Sequence, residues 1–287
     1  MLVSTTAVNA NANYSSSTTY TNGLLVVYNG RTYRSIHNNP HSNQRPDISP
    51  LYWLDVGPSN QYAMFDRTVT YGTSASNSLT VVIKPGVIDS IALINLKCEL
   101  ANITIRDGLT GPIVYQNSVG LSGTNVNDWY EYFFYDPLLR RTQVVVPNIP
   151  PYADAHITLE LIAKVTEDAS IGEFIFGRLS EIGGSQYGAT AGIVDYSRKE
   201  TDEFGTVTFV ERPFSKRVSA QVHIRNNQLN RVQQLMYSLR ATPAVWIGSS
   251  DPLLEEPLVV YGFYKDFSTD IAYPTHSVMS LEIEGLT

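Results

Sequence analysis

The chain has 287 residues, of which 43% are hydrophobic and only 16% charged, against about 25% charged in average soluble proteins. Ser, Thr and Asn fill the gap together with 18 Tyr, 10 Phe and 3 Trp, and 20 basic against 27 acidic residues leave a net charge of −7. That balance repels phosphate backbones and excludes general nucleic-acid binding, and no apolar run reaches the roughly 18 residues of a membrane helix, so no membrane insertion is expected.

Met1-Leu2-Val3-Ser4 lacks a basic stretch followed by an apolar one, so no signal peptide is expected. Residues 4–22 are mostly Ser, Thr and Asn around Tyr14 and Tyr20. So little apolar surface cannot offset ordering entropy by itself, which predicts a polar arm (1–22) that is either disordered or held by a partner. Leu24 to Tyr28 and Arg31 to Ile36 flank Asn29-Gly30, the signature of a hairpin with a type I′ turn. A polar loop from His37 to Pro50 leads to Leu51–Val56, and Gly57-Pro58 closes a small β unit over 23–57.

From 58 to about 168 one short strand follows another. They are Leu79–Ile83, Ile88–Leu96, Ala101–Arg106, Ile113–Tyr115, Trp129–Tyr135, Thr142–Val146 and His156–Ile162. This spacing, with turn residues between runs and no helical period, predicts a β-sandwich of jelly-roll type. Cys98, the single cysteine, sits in an apolar run and reads as a buried thiol; the lack of a second one excludes an intrachain disulfide and fits synthesis in a reducing cytoplasm.

Residues 169–287 read as a β-rich domain. Glu173–Arg178 is a strand, and Ile193 to Arg212 is a long polar hairpin tipped by Asp202-Glu203-Phe204-Gly205. The one convincing helix runs over 227–241, where Leu229, Val232, Leu235, Met236 and Leu239 build one apolar stripe. Asn226 or Asn227 is expected to cap it, and Pro243 forbids its extension. Ala244–Ile247, Leu258–Phe267 and Ser277–Ile283 close the chain as strands. The fold class is therefore mainly β, with one helix.

Catalytic motifs are scarce. His37, His41, His156, His223 and His276 form no HxH or HExxH pattern. His156 and His223 read as structural, and His37 and His41, four apart, are the one pair with possible ligand spacing. There is no GxSxG elbow or phosphate-binding loop, and Gly183-Gly184-Ser185 reads as a mobile or close-packed turn. Glycoside hydrolysis needs two acids on facing strands; Asp128, Glu131, Asp136, Glu160 and Glu173 are the acids to consider, but 27 acids produce such coincidences by chance. No enzyme activity, cofactor or metal is expected.

Aromatics carry more information. Tyr28, Tyr33, Tyr52 and Trp53 crowd into 26 residues of the small β unit. Aromatic faces stack on sugar rings while Asn, Ser and Thr bond hydroxyls, so these four are candidate carbohydrate contacts. The other reading is that so small a unit needs large side chains simply to hold together.

The segment Tyr28-Asn29-Gly30-Arg31-Thr32-Tyr33-Arg34-Ser35, then Pro46, then Tyr52-Trp53, resembles the small chitin-binding type carbohydrate-binding modules, with Arg31 for their Lys and Ser35 for their Ala. Three further segments are similar to tail proteins of tailed bacteriophages: Ser49 to Asp66, Asp195 to Gly205, and Leu281 to Leu286. That resemblance implies a small module ahead of a β-sandwich in a virion component of the tail tip, baseplate or fibre. It further implies a non-enzymatic protein made in the host bacterial cytoplasm, with other phage tail proteins as partners. We expect a homo-oligomer, a trimer or ring about the tail axis. Arg198, Lys199, Glu200, Glu211 and Arg212 of the polar hairpin are candidate assembly contacts, by charge pairing and strand addition. The alternative is a lectin-like protein that recognises a bacterial surface glycan.

Overall fold

The structure is a computed structural model and describes residues 2–69, 71–123, 139–201, 204–249, 255–271 and 273–286. It divides into two compact units, Met1–Gly177 and Arg178–Thr287. The expected strand Trp129–Tyr135, the acids Asp128, Glu131 and Asp136, and the tip residues Asp202 and Glu203 lie outside the described residues.

The strands of the first unit, in chain order, are β1 (Leu2–Thr5), β2 (Leu25–Tyr28), β3 (Arg31–Ser35), β4 (Trp53–Pro58), β5 (Thr73–Ser76), β6 (Ser78–Ile83) and β7 (Ser90–Lys97). They continue with β8 (Leu100–Asp107), β9 (Ile113–Gly120), β10 (Ser122–Gly123), β11 (Leu139–Arg140), β12 (Gln143–Val146), β13 (Ala155–Ile162) and β14 (Asp168–Gly177). One sheet has the order β1-β6-β13-β8-β9 and the other β12-β7-β14-β5. The nested antiparallel pairs β5/β14, β6/β13, β7/β12 and β8/β9 describe one long ribbon folded over itself, which is the jelly roll.

Alternation explains its core. Leu79, Val81 and Ile83 of β6, Ile103 and Ile105 of β8, and Ile157, Leu159 and Leu161 of β13 point inward at period two. They meet Ile91 and Leu93 of β7, Val144 and Val146 of β12, and Ile171 and Phe174 of β14. Each such side chain stabilises the fold by about 1.5–3 kcal/mol relative to exposure. Cys98 is buried among them.

Two expectations are corrected here. The last strand of the sandwich is Asp168–Gly177, hydrogen-bonded to both β5 and β7, so the boundary expected at 168 falls at Gly177 instead. The polar arm is neither free nor in need of a partner. Leu2–Thr5 pairs with the β6 edge, Asn13 bridges to Val27, and Tyr20 bridges to His41. Backbone pairing and two tyrosine rings supply what its polar side chains lack.

β2, β3 and β4 form a separate antiparallel sheet. Asn29 (φ 49°) and Gly30 (φ 76°) both sit in the left-handed region, as a type I′ turn requires. Gly30 is also needed for space, because a Cβ there would lie 2.8 Å from the Tyr62 ring.

The second unit contains β15 (Gly184–Ser185), β16 (Thr190–Asp195), β17 (Arg198–Thr201), β18 (Val207–Val210), β19 (Phe214–Arg225), α1 (Leu229–Ser238), β20 (Ala244–Ile247), β21 (Val259–Asp270) and β22 (His276–Gly285), with one further helical turn at Glu255–Leu258. The main sheet runs β15-β19-β22-β21-β20, and β16 also pairs with β19. Val232 and Met236 of α1 pack on Val218, Val222, Ile224, Met279, Leu281 and Ile283, as the apolar stripe predicts. The expected asparagine cap is not used. α1 begins after a 3₁₀ turn at Asn226–Gln228, its first flanking residue is Gln228, and no side chain caps it. The Asn226 amide instead donates to the carbonyls of Tyr273 and Pro274, 2.9 Å each, and accepts from Ser277 Oγ at 2.7 Å. The Gly183-Gly184-Ser185 turn is close-packed: β15 pairs with Val222 and His223.

Candidate functional site

The small sheet gathers all four candidate sugar-binding aromatics, but in unequal positions. Trp53 is 3% exposed and Tyr33 7%, and with Tyr20 and Val26 they form the centre of a miniature core. The Trp53 ring is met edge-on by Tyr14 at 6.0 Å, Tyr20 at 5.1 Å and His41 at 5.1 Å, and its Nε1–H donates to the Gln44 carbonyl at 2.9 Å. Rings enclosed in this way have no face left for a ligand. Trp53 and Tyr33 therefore fill the interior, in keeping with the second of the two sequence readings and not with sugar contact, because a sheet of three short strands has little else with which to fill it.

Tyr28 and Tyr52 lie half-buried at the margin of that core. Tyr28 meets Tyr14 edge-on and carries the Arg45 guanidinium over its ring at 5.8 Å. Tyr52 lies beside His37, with ring centroids 4.6 Å apart, and beside His41 at 5.0 Å. His37 receives the N–H of Asn39 on Nδ1 at 3.3 Å. His41 is buried with neither ring nitrogen hydrogen-bonded, and burial pushes its pKa below the usual histidine range. The two imidazoles sit edge to face at 6.0 Å, and the described residues hold no group of three or more His, Cys, Asp or Glu suited to a metal ion.

The other described histidines and candidate acids make contacts within the fold. His156 is buried with Nδ1 3.0 Å from the Asp154 carbonyl, and His223 lies against His276 at 5.2 Å. Glu160 is out of phase with the inward Leu159 and Leu161 of β13 and accepts from Asn102 on β8 at 3.1 Å, whereas Glu173 is buried on β14 in the other sheet, so these two acids do not face each other across the core.

The polar hairpin has the opposite character. β16 pairs with the first half of β19 up to Asp195–Phe214, and the chain then breaks around Tyr196-Ser197. The Ser197 hydroxyl, and then its N–H at 2.8 Å from Oδ1, hold the Asp195 carboxyl below the usual range, and Ser197 Oγ accepts the Arg212 N–H at 3.1 Å. Beyond the break, β17 and β18 form a two-stranded sheet of their own in which every residue is exposed. Arg198 and Glu200 pair along β17 at 3.3 Å, Lys199 lies opposite Phe209, and Glu211 and Arg212 are exposed at the base.

Reading the sequence for charge missed what else the hairpin carries. Phe204 is 91% exposed and Phe209 75%, with Phe214, Val207 and Val210 also open to solvent. The Val-Thr-Phe-Val run was the available signal: apolar side chains in a segment with no partner strand beyond its own hairpin. An isolated two-stranded hairpin is marginal in water, and exposed apolar clusters mark contact surfaces.

No protein-family model matches the chain, and no curated protein matches it at significance.

Proposed function

We propose that this chain is a non-enzymatic structural protein of a phage tail, an adaptor that joins tail and receptor-binding parts and docks through the β17–β18 hairpin. The observation that carries the proposal is the hairpin itself: two strands without a core of their own that present Phe204 and Phe209 to solvent. Covering two phenylalanines and completing the open strand edges stabilises an assembly by the same physics that builds a sheet. Jelly rolls recur in viral coat and lectin proteins, an analogy of fold that agrees with the tail-protein resemblance without assigning a role. The expected product is a homo-oligomer, a trimer or ring, made in bacterial cytoplasm and residing in the virion tail. Mass photometry of wild type and of the Phe204→Ser/Phe209→Ser variant tests it. Assembly, alone or with other tail proteins, is expected for wild type and lost in the variant; a wild-type monomer with no affinity for other tail proteins overturns it.

A second reading, recognition of a bacterial surface glycan, is favoured by one arrangement. Tyr52 and His37 present adjoining half-buried rings beside Asn38 and Asn39. A glycan array on wild type and on Tyr52→Ala distinguishes it, since Tyr52 lies at the margin of the miniature core and its removal leaves Trp53 in place.

A further inference from the structure

His41 belongs to the polar loop between β3 and β4 and is 8% exposed. Its ring is enclosed by other rings, with the centroids of Tyr52 at 5.0 Å, Trp53 at 5.1 Å, His37 at 6.0 Å and Tyr20 at 6.2 Å. Neither Nδ1 nor Nε2 has a hydrogen-bond partner, and the Asn39 carbonyl beside them stays outside bonding geometry. A neutral imidazole already leaves one donor and one acceptor unmet in such a place. The imidazolium would leave two donors unmet and bury a charge as well.

The same residue ties down the N-terminal arm. The Tyr20 N–H donates to the His41 carbonyl at 2.8 Å, the His41 N–H donates back to the Tyr20 carbonyl at 3.1 Å, and the Asn43 N–H reaches the Ser16 carbonyl at 3.2 Å. The Tyr20 hydroxyl accepts the Ser15 N–H at 2.7 Å, and its ring stacks on Tyr14 at 5.5 Å. Tyr20 faces the His41 ring from the arm, Tyr52 and Trp53 face it from the β4 side, and His37 and the Asn39 carbonyl face it from its own loop. Among the described residues no carboxylate stands against it. Asp47 of the same loop pairs with Arg45 at 2.7 Å, and that guanidinium lies over Tyr28. His37 is thus the one facing group that gains charge in acid, and its charge has the same sign.

We propose that His41 is an acid-sensitive pin: when its ring takes up a proton, residues 37–44 part from residues 14–20, which releases the arm and uncovers Trp53. The neutral ring fits its aromatic surroundings, whereas the charged ring finds neither a counter-ion nor an acceptor there and must reach water. Burial above all lowers the His41 pKa; the Asn39 carbonyl opposes the shift, and His37 adds to it. A group that the fold holds neutral contributes its full stability above the unfolded histidine value of about 6.5, and that contribution is lost as pH falls below it. The release therefore belongs to mildly acidic solution.

Hydrogen exchange of the full chain between pH 7.5 and 4.5, corrected for intrinsic rates, tests the pin, with the His41 Cε1–H resonance followed over the same range. Protection of the Tyr20, His41 and Asn43 amides is expected to fall about tenfold per pH unit below about 6.5 and to level off at the His41 midpoint, itself below 6.5. His41→Phe, aromatic but unable to take a proton, is expected to keep these amides protected throughout. That variant separates His41 from the carboxylates, which also titrate in acid, and the wild-type resonance decides the matter should His41→Phe not fold. A His41 midpoint at or above 6.5, wild-type protection that stays constant from pH 7.5 to 4.5, or a loss that persists in His41→Phe overturns the proposal.

Discussion

Two hairpins of this chain follow the same local rules and place their aromatics in opposite directions. In β2–β3 an Asn-Gly turn joins strands whose rings turn inward, so that Tyr33 and, from the neighbouring strand, Trp53 form the interior. In β17–β18 Gly205 sits at φ 80° near the tip, and Phe204 and Phe209 turn outward with no third strand behind them. The difference teaches that an aromatic cluster in sequence is not yet a site. The third strand β4 and the tyrosines of the N-terminal arm convert the first cluster into a core, and among the described residues of the second unit no strand does so for the second.

The comparison can be broken at several strengths. Trp53→Ala should be most damaging, destabilising the small sheet by about 3–5 kcal/mol, as read by thermal or urea unfolding. Glu173, buried on β14, lies outside both hairpins and gives the next effect. Because the folded-state pKa of Glu173 is raised from 4.5 to about 8, its contribution to stability is fully present below pH 4.5 and is lost as pH rises through about 8. Glu173→Gln should flatten that slope, whose full extent is at most about 4–5 kcal/mol, measured by urea midpoints from pH 4 to 9. The two turn glycines separate the hairpins further. Gly30→Ala should cost about 1–3 kcal/mol, since strain at positive φ adds to collision with Tyr62, whereas Gly205→Ala meets nothing within 4 Å and should cost about 1 kcal/mol. Smallest for stability is Phe204→Ser/Phe209→Ser, expected within about 0.5 kcal/mol of wild type, because neither ring is buried in the chain itself.

Much of the fold was legible. Alternation in Leu79–Ile83 and His156–Ile162 located sandwich strands, Asn29-Gly30 located the turn, and the stripe from Leu229 to Leu239 located the helix. Three features were not legible, each for a physical reason. The arm looked too polar to order, but its order comes from backbone pairing with β6 and from Tyr20 packing on Trp53, contacts that composition does not encode. Asn226 had the chemistry of a helix cap, yet the Tyr273–Ser277 segment passes close enough to claim its amide. Trp53 and Tyr52 are adjacent, so period two sends one inward and the other to the margin; sequence alone did not say which. Of the candidate assembly residues, Arg198, Lys199, Glu200, Glu211 and Arg212 are indeed at the surface, but the apolar partners beside them were obscured by the attention their charges attract.

The central claim, that β17–β18 is the docking element of an assembling protein, is tested most directly by hydrogen exchange across Arg198–Val210 with the chain dilute and with it assembled, alone at high concentration or with other tail proteins. The account predicts fast exchange in the dilute chain and marked protection on assembly, absent from Phe204→Ser/Phe209→Ser. Assembly that leaves these amides as fast as in the dilute chain, or proceeds equally well in the variant, contradicts it.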